Sequence, residues 1–126
     1  MPLVELYFAP MDVEPYVVRI LRDQLPGWIA RELSVDEADG HLTEDDVEVR
    51  VRGKDPSLDA EPKYVVQVTV WAKYYKAREA KVNEAAVSIL NSVKRDLIAH
   101  CISGRAFVYI LLSPAGFAEA EFKSEF

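Results

Sequence analysis

Few side chains in this sequence have reactive chemistry of their own. Cys101 is the only cysteine, and His41 and His100 are the only histidines. One thiol cannot form a disulfide within a chain, and one Cys with two His does not supply the tetrahedral ligand set of a structural zinc. The five glycines never fall in a G-x-G pattern, so no phosphate-cradling loop is written here. The reading is therefore of a protein with no metal and no cofactor. What remains is an alternation. Val47-Glu-Val-Arg-Val-Arg52 sets Glu48, Arg50 and Arg52 on one face of a strand. Gln67, Thr69, Trp71 and Lys73, and then Phe107, Tyr109 and Leu111, repeat that arrangement in two further strands. Aromatic and aliphatic groups mixed with charges make neither a core nor a clean solvated surface. Such a face meets a ligand, other subunits, or both. Singly exposed aromatics on a one-sided sheet are the plainer alternative.

The elements that must carry this face follow from hydrophobic periodicity. Leu3 to Phe8 reads as a first strand. A helix follows, with Asp12 as N-cap, Pro15 in the first turn, and Val18, Leu21, Leu25, Trp28, Ile29 and Leu33 on one stripe. Pro26-Gly27 predicts a kink or a two-piece helix there. Residues 35–46 are acidic and read as a loop, 47–52 as the second strand, and 53–63 as a second loop. The pattern then repeats: a strand over 64–73, a helix over 78–99, and a strand over 107–112. Corresponding strands start 60 and 61 residues apart, which predicts two copies of one βαβ unit. The predicted fold class is α/β (α+β): two βαβ repeats forming a four-stranded mixed sheet with two helices on one face. One domain over 1–126 is predicted, with repeat one about 1–55, repeat two about 63–112, and a tail over 113–126. His100 and Cys101 close the second helix, as a helix-end cation and a small buried group.

Composition narrows the function classes. The 126 residues are 50% hydrophobic and 29% charged, an ordinary globular mix large enough for a core without disulfides. The net charge of −6 argues against a nucleic-acid partner. The longest apolar run, 106–112, is too short to span a membrane. A single cysteine and no basic-then-apolar leader predict a cytoplasmic protein.

Pro2, directly after the initiator Met and before Leu3-Val-Glu-Leu-Tyr-Phe8, resembles the start of tautomerase-superfamily proteins. That group includes macrophage migration inhibitory factor, 4-oxalocrotonate tautomerase and the chloroacrylic acid dehalogenases. Glu61-Pro62 through Trp71-Ala72-Lys73 resembles a loop and strand of the inhibitory factor group. Val108-Tyr109-Ile110 resembles its last main strand, and Ser113-Pro114-Ala115 a turn of the dehalogenases. The resemblance implies three chains around a barrel and a pocket between subunits. It also implies chemistry. Once Met1 is removed, Pro2 carries a secondary amine whose pKa is lowered by nearby cations and an apolar pocket. The neutral amine moves a proton between carbon and the conjugated end of a small keto–enol carboxylate. Tyr109 is the implied hydrogen-bond donor. Arg50, Lys73 and Lys76 would hold the carboxylate, and Trp71 would wall the pocket. Glu119 stands roughly where the dehalogenases keep a water-activating glutamate. Leu111 replaces a pocket asparagine of the inhibitory factor group, and no Cys-x-x-Cys is present.

The implied function is a cofactor-independent tautomerase or isomerase, assembled as a homotrimer. Two alternatives stand beside it. One is a binding or assembly protein on the same fold without turnover, which retention of Met1 would favour by turning the Pro2 nitrogen into an amide. The other is a ferredoxin-like dimeric barrel. Strand pairing separates that last option, because it needs antiparallel neighbours throughout, whereas βαβ repeats need parallel pairs.

Overall fold

A computed structural model describes residues 2–37, 40–55, 57–58, 63–113 and 120–124. Glu61-Pro62, Pro114-Ala115 and Glu119 lie outside those residues. The element order is β1 (Leu3–Phe8), α1 (Pro15–Leu33), a 3₁₀ turn (Glu44–Asp46), β2 (Glu48–Gly53), β3 (Val66–Lys73), α2 (Lys76–Glu79), α3 (Val82–Ala99) and β4 (Ala106–Ser113). The sheet order is β2-β1-β3-β4. β1 and β2 run parallel, as do β3 and β4, and the two units meet through the antiparallel β1–β3 pair. These two parallel pairs are the βαβ signature and exclude the ferredoxin-like alternative.

Register fixes which residues share a face. Val4, Val49, Val70 and Ile110 stand in one row, and Leu6, Val51, Val68 and Val108 in the next. The central strands bury this face fully: Val4, Leu6, Val66, Val68 and Val70 pack against Leu21, Leu25, Ile29 and Leu33 of α1 and Ile89, Val93 and Leu97 of α3. On the edge strand β2, Val49 packs against this core but Val51, further along the strand, is 37% exposed. Between the helices, Gln24 Nε2 donates to Asp96 (3.2 Å) and Ser88 Oγ to Glu32 (2.8 Å).

Local chemistry departs from the sequence reading in four places. Glu14, not Asp12, is the N-cap of α1. The Asp12 and Val13 N–H groups both donate to Ala9 O, folding Asp12 into the preceding turn. Pro26 sits inside one uninterrupted α1. The carbonyl it deprives of a donor, four residues back, belongs to the exposed Arg22, where solvent reaches it. The second helix is broken into α2 and α3 around Ala80-Lys81. Cys101 is exposed rather than buried, and takes a left-handed φ of 60° immediately after α3.

Candidate active site

The face of the sheet away from the helices carries four strands in register. Glu48, Leu3, Trp71 and Leu111 form one row, and Arg50, Glu5, Thr69 and Tyr109 the next. Pro2 precedes the first row at the head of the central strand β1. It is buried, and its carbonyl accepts from the Glu48 N–H at 3.1 Å. Because β3 runs antiparallel to β1, the end of β3 rises beside the start of β1. Trp71 faces Leu3 across that pair, and Lys73 lies two residues beyond Trp71 as the last residue of β3. Lys76 opens α2 and is exposed.

The sequence-predicted residues thus fall into two sets. Pro2, Trp71, Lys73 and Lys76 gather at one end of the sheet. Arg50 and Tyr109 lie one row in, on opposite edge strands. Three inter-strand steps of about 4.8 Å put their backbones roughly 14 Å apart within one chain. Trp71 is 38% and Tyr109 54% exposed, so neither is covered among the described residues. Arg50 pairs with Glu48 at 3.3 Å, both about half exposed. A pair in that setting contributes at most about 1 kcal/mol.

Two cavities of about 520 and 540 Å³ lie elsewhere. The first is lined by Leu90, Leu97, Ile102 and Arg105 and the second by the outer face of α3; neither includes Pro2, Trp71, Lys73 or Tyr109. Among the described residues, no group of three or more His, Cys, Asp or Glu is placed to hold a metal. Among the same residues, no helix is long and apolar enough to cross a membrane.

The sequence reading missed Arg78, which it took as an ordinary first residue of the second helix. Arg78 is 2% exposed. Its Nε donates to Leu33 O (2.7 Å), one terminal nitrogen to Lys73 O (2.8 Å), and the other to Gly40 O (3.0 Å). Lys81 Nζ adds a bond to Ser34 O at 2.6 Å. The last carbonyls of a helix lack intrahelical donors and carry the negative end of its dipole. Arg78 and Lys81 satisfy that end of α1 with cations. One sequence signal pointed this way: a cation in the first turn of a helix opposes that helix's own dipole, so an arginine there has another partner. Nearby, a hydrogen bond to the Glu79 carboxylate holds the Tyr74 phenol above its ordinary 10.0. In the loop leading to β2, the Thr43 backbone N–H (2.8 Å), aided by its hydroxyl, holds the Asp46 carboxyl below 3.8.

Solved structures share this arrangement. 5-Carboxymethyl-2-hydroxymuconate delta-isomerase aligns over 98% of this chain and 89% of its own, at 12% identity and a TM-score of 0.65. The chain shares its fold with these structures, whose proteins are tautomerase-superfamily members. A wild-type fused 4-OT, a symmetric trimer, aligns over 89% of this chain and 85% of its own, at 12% identity and TM-score 0.59. FG41 malonate semialdehyde decarboxylase inhibited by 3-bromopropiolate aligns over 97% and 91%, at 15% identity and TM-score 0.60. No protein-family model and no curated sequence matches the chain. These neighbours include an isomerase and a decarboxylase.

Proposed function

We propose that this chain is one tautomerase-like domain acting as a cofactor-independent tautomerase or isomerase of small keto–enol carboxylates, with the Pro2 amine as acid and base after Met1 is removed. The observation that carries the reading is the placement of a buried Pro2 at the head of β1, beside Trp71 and Lys73 at the end of β3. A neutral secondary amine there would take a proton from a carbon next to a carbonyl and return it at the conjugated position. Lys73 and Lys76 would hold the substrate carboxylate equally in the ground and transition states. Trp71 would wall the apolar side.

Arg50 and Tyr109, on opposite edge strands with backbones about 14 Å apart, do not both sit beside Pro2 in one chain. Assembly resolves this: in a closed homotrimer, Tyr109 or Arg50 of one chain would complete the pocket of a neighbour. The open face supports such an assembly. Trp71 and Tyr109 are exposed and Leu3 and Leu111 only half-buried among the described residues, and burying a large apolar side chain fully gains about 1.5–3 kcal/mol. A fused 4-OT of this fold is a symmetric trimer. The test is turnover of phenylenolpyruvate or 2-hydroxymuconate by wild type and Pro2→Ala, on protein whose intact mass shows loss of Met1. The proposal expects wild-type turnover that Pro2→Ala abolishes. Equal rates in the two proteins would remove Pro2 as the base.

A further inference from the structure

We infer that Arg78 and Tyr75 are positioning residues for Lys73, Arg78 fixing its main chain and Tyr75 its ammonium, so that a carboxylate meets a preset cation at the Pro2 end of the sheet. This rests on the tautomerase reading above and adds to it a source of substrate selectivity.

The geometry begins with the guanidinium. Arg78 ties together three segments that are distant in sequence: the end of α1 through Leu33, the acidic loop through Gly40, and the last residue of β3 through Lys73. Its planar fork presents fixed donors in several directions, which a lysine ammonium on a flexible stem does not reproduce. The Lys73 carbonyl is therefore held from inside the molecule, while its side chain shares the open face with Trp71.

Tyr75 completes the arrangement. The Arg78 guanidinium stands 5.0 Å from the Tyr75 ring centre, and Lys73 Nζ stands 5.4 Å from the same centre. Both distances lie within the range of cation–π attraction. The ring is itself fixed: a Cβ on Gly40 would come within 3.2 Å of Tyr75 Cε2, and would also meet Val35 Cγ2 and the Glu37 carbonyl. The loop backbone thus packs directly on the ring, which glycine alone permits. An ordinary exposed lysine samples many rotamers and loses them when it binds an anion. Here part of that loss has been taken in folding, so binding a carboxylate costs less.

A role confined to holding the fold would not distinguish acid from ester substrates, nor depend on Lys73. The test compares phenylenolpyruvate with its methyl ester in wild type, Tyr75→Leu, Lys73→Gln and the double variant. The expected result is a KM for the acid raised about 2- to 12-fold by Tyr75→Leu, the span given by immobilising one long side chain. The kcat for the acid and both constants for the ester should stay unchanged, and Tyr75→Leu should have no further effect once Lys73 is Gln. Arg78→Lys should raise KM in the same acid-selective way and speed hydrogen exchange over 40–42. If that variant does not fold, the Tyr75–Lys73 cycle carries the test. Equal effects on acid and ester, or additive effects of Tyr75→Leu and Lys73→Gln, would overturn the inference. Failure of wild type to turn over would contradict the enzyme reading alone. In that event the same cycle is read as the Kd for phenylpyruvate by calorimetry: weaker binding in Tyr75→Leu only while Lys73 is present supports the inference. Equal Kd values across the cycle, or no binding by wild type, overturn it.

Discussion

Replacing Cys101 with glycine should stabilise this protein. α3 ends in a Schellman motif: the Ile102 N–H donates to Leu97 O and the Cys101 N–H to Ile98 O, both at 3.0 Å. That motif needs a left-handed residue just past the cap, normally glycine, and an apolar contact from the next residue back onto the helix. Ile102 lies within the apolar cluster that also contains Leu97. Cys101 supplies the left-handed residue at φ 60°, alone among the described non-glycine residues in having a positive φ. An L-residue in that region costs about 1–2 kcal/mol through its Cβ. Glycine removes this cost but adds about 0.5–1 kcal/mol of unfolded-chain entropy. The exposed thiol contributes little packing to lose. The net gain is roughly 0.5–1 kcal/mol, or about 2–5 °C in Tm for a chain of this size. Thermal and urea unfolding under reducing conditions would measure it, with Cys101→Ala as the control that keeps the Cβ and should change little. A Cys101→Gly protein no more stable than wild type, or an alanine variant equally stabilised, would refute the argument.

Arg78→Met should cost roughly 3–5 kcal/mol, because it leaves the carbonyls of Leu33, Gly40 and Lys73 without their cationic donor; a loss below about 1 kcal/mol in urea unfolding would show that solvent satisfies them. The Asp46 carboxyl has a lower pKa folded than unfolded, so the stability it contributes is present above 3.8 and fades as pH falls beneath that value. Asp46→Asn should therefore flatten the acid arm of a stability–pH profile, and an unchanged arm would contradict the assignment. Sedimentation equilibrium should give three times the 14.2 kDa chain mass, and Leu111→Asp on the open face should shift it toward monomer; a wild-type monomer would remove the shared pocket.

Much of the fold was legible because alternation and helical spacing are written strongly where burial is strong. Leu3–Phe8 is predicted and observed with the same ends, and Val66, Val68 and Val70 show the period-two pattern of a strand covered on one face. The 60-residue offset anticipated the two parallel pairs. Weaker features depended on tertiary context. Val51 alternates like a buried residue, but it sits on an edge strand and is exposed. Pro26 looks like a helix breaker, but the freed carbonyl faces water. Cys101 looks like a buried apolar group until the cap geometry assigns it to a left-handed turn. Among candidate site residues, the sequence grouped Pro2, Trp71 and Lys73 only through resemblance, and the antiparallel β1–β3 register brings them to one end of the sheet. Arg78 was passed over because its partners are backbone carbonyls from segments 5, 38 and 45 residues away, and carbonyl partners leave no trace in residue types.

The central claim is that Pro2 carries a reactive amine next to a carboxylate-holding cation. Its most direct test is labelling by a small carboxylated electrophile at neutral pH, on protein lacking Met1 and carrying Cys101→Ala so that the exposed thiol does not compete. Peptide mass spectrometry locates the adduct. One adduct should form, on the Pro2 nitrogen, and more slowly in Lys73→Gln. Labelling confined to lysine side chains, or a Pro2 adduct whose rate ignores Lys73, would contradict it.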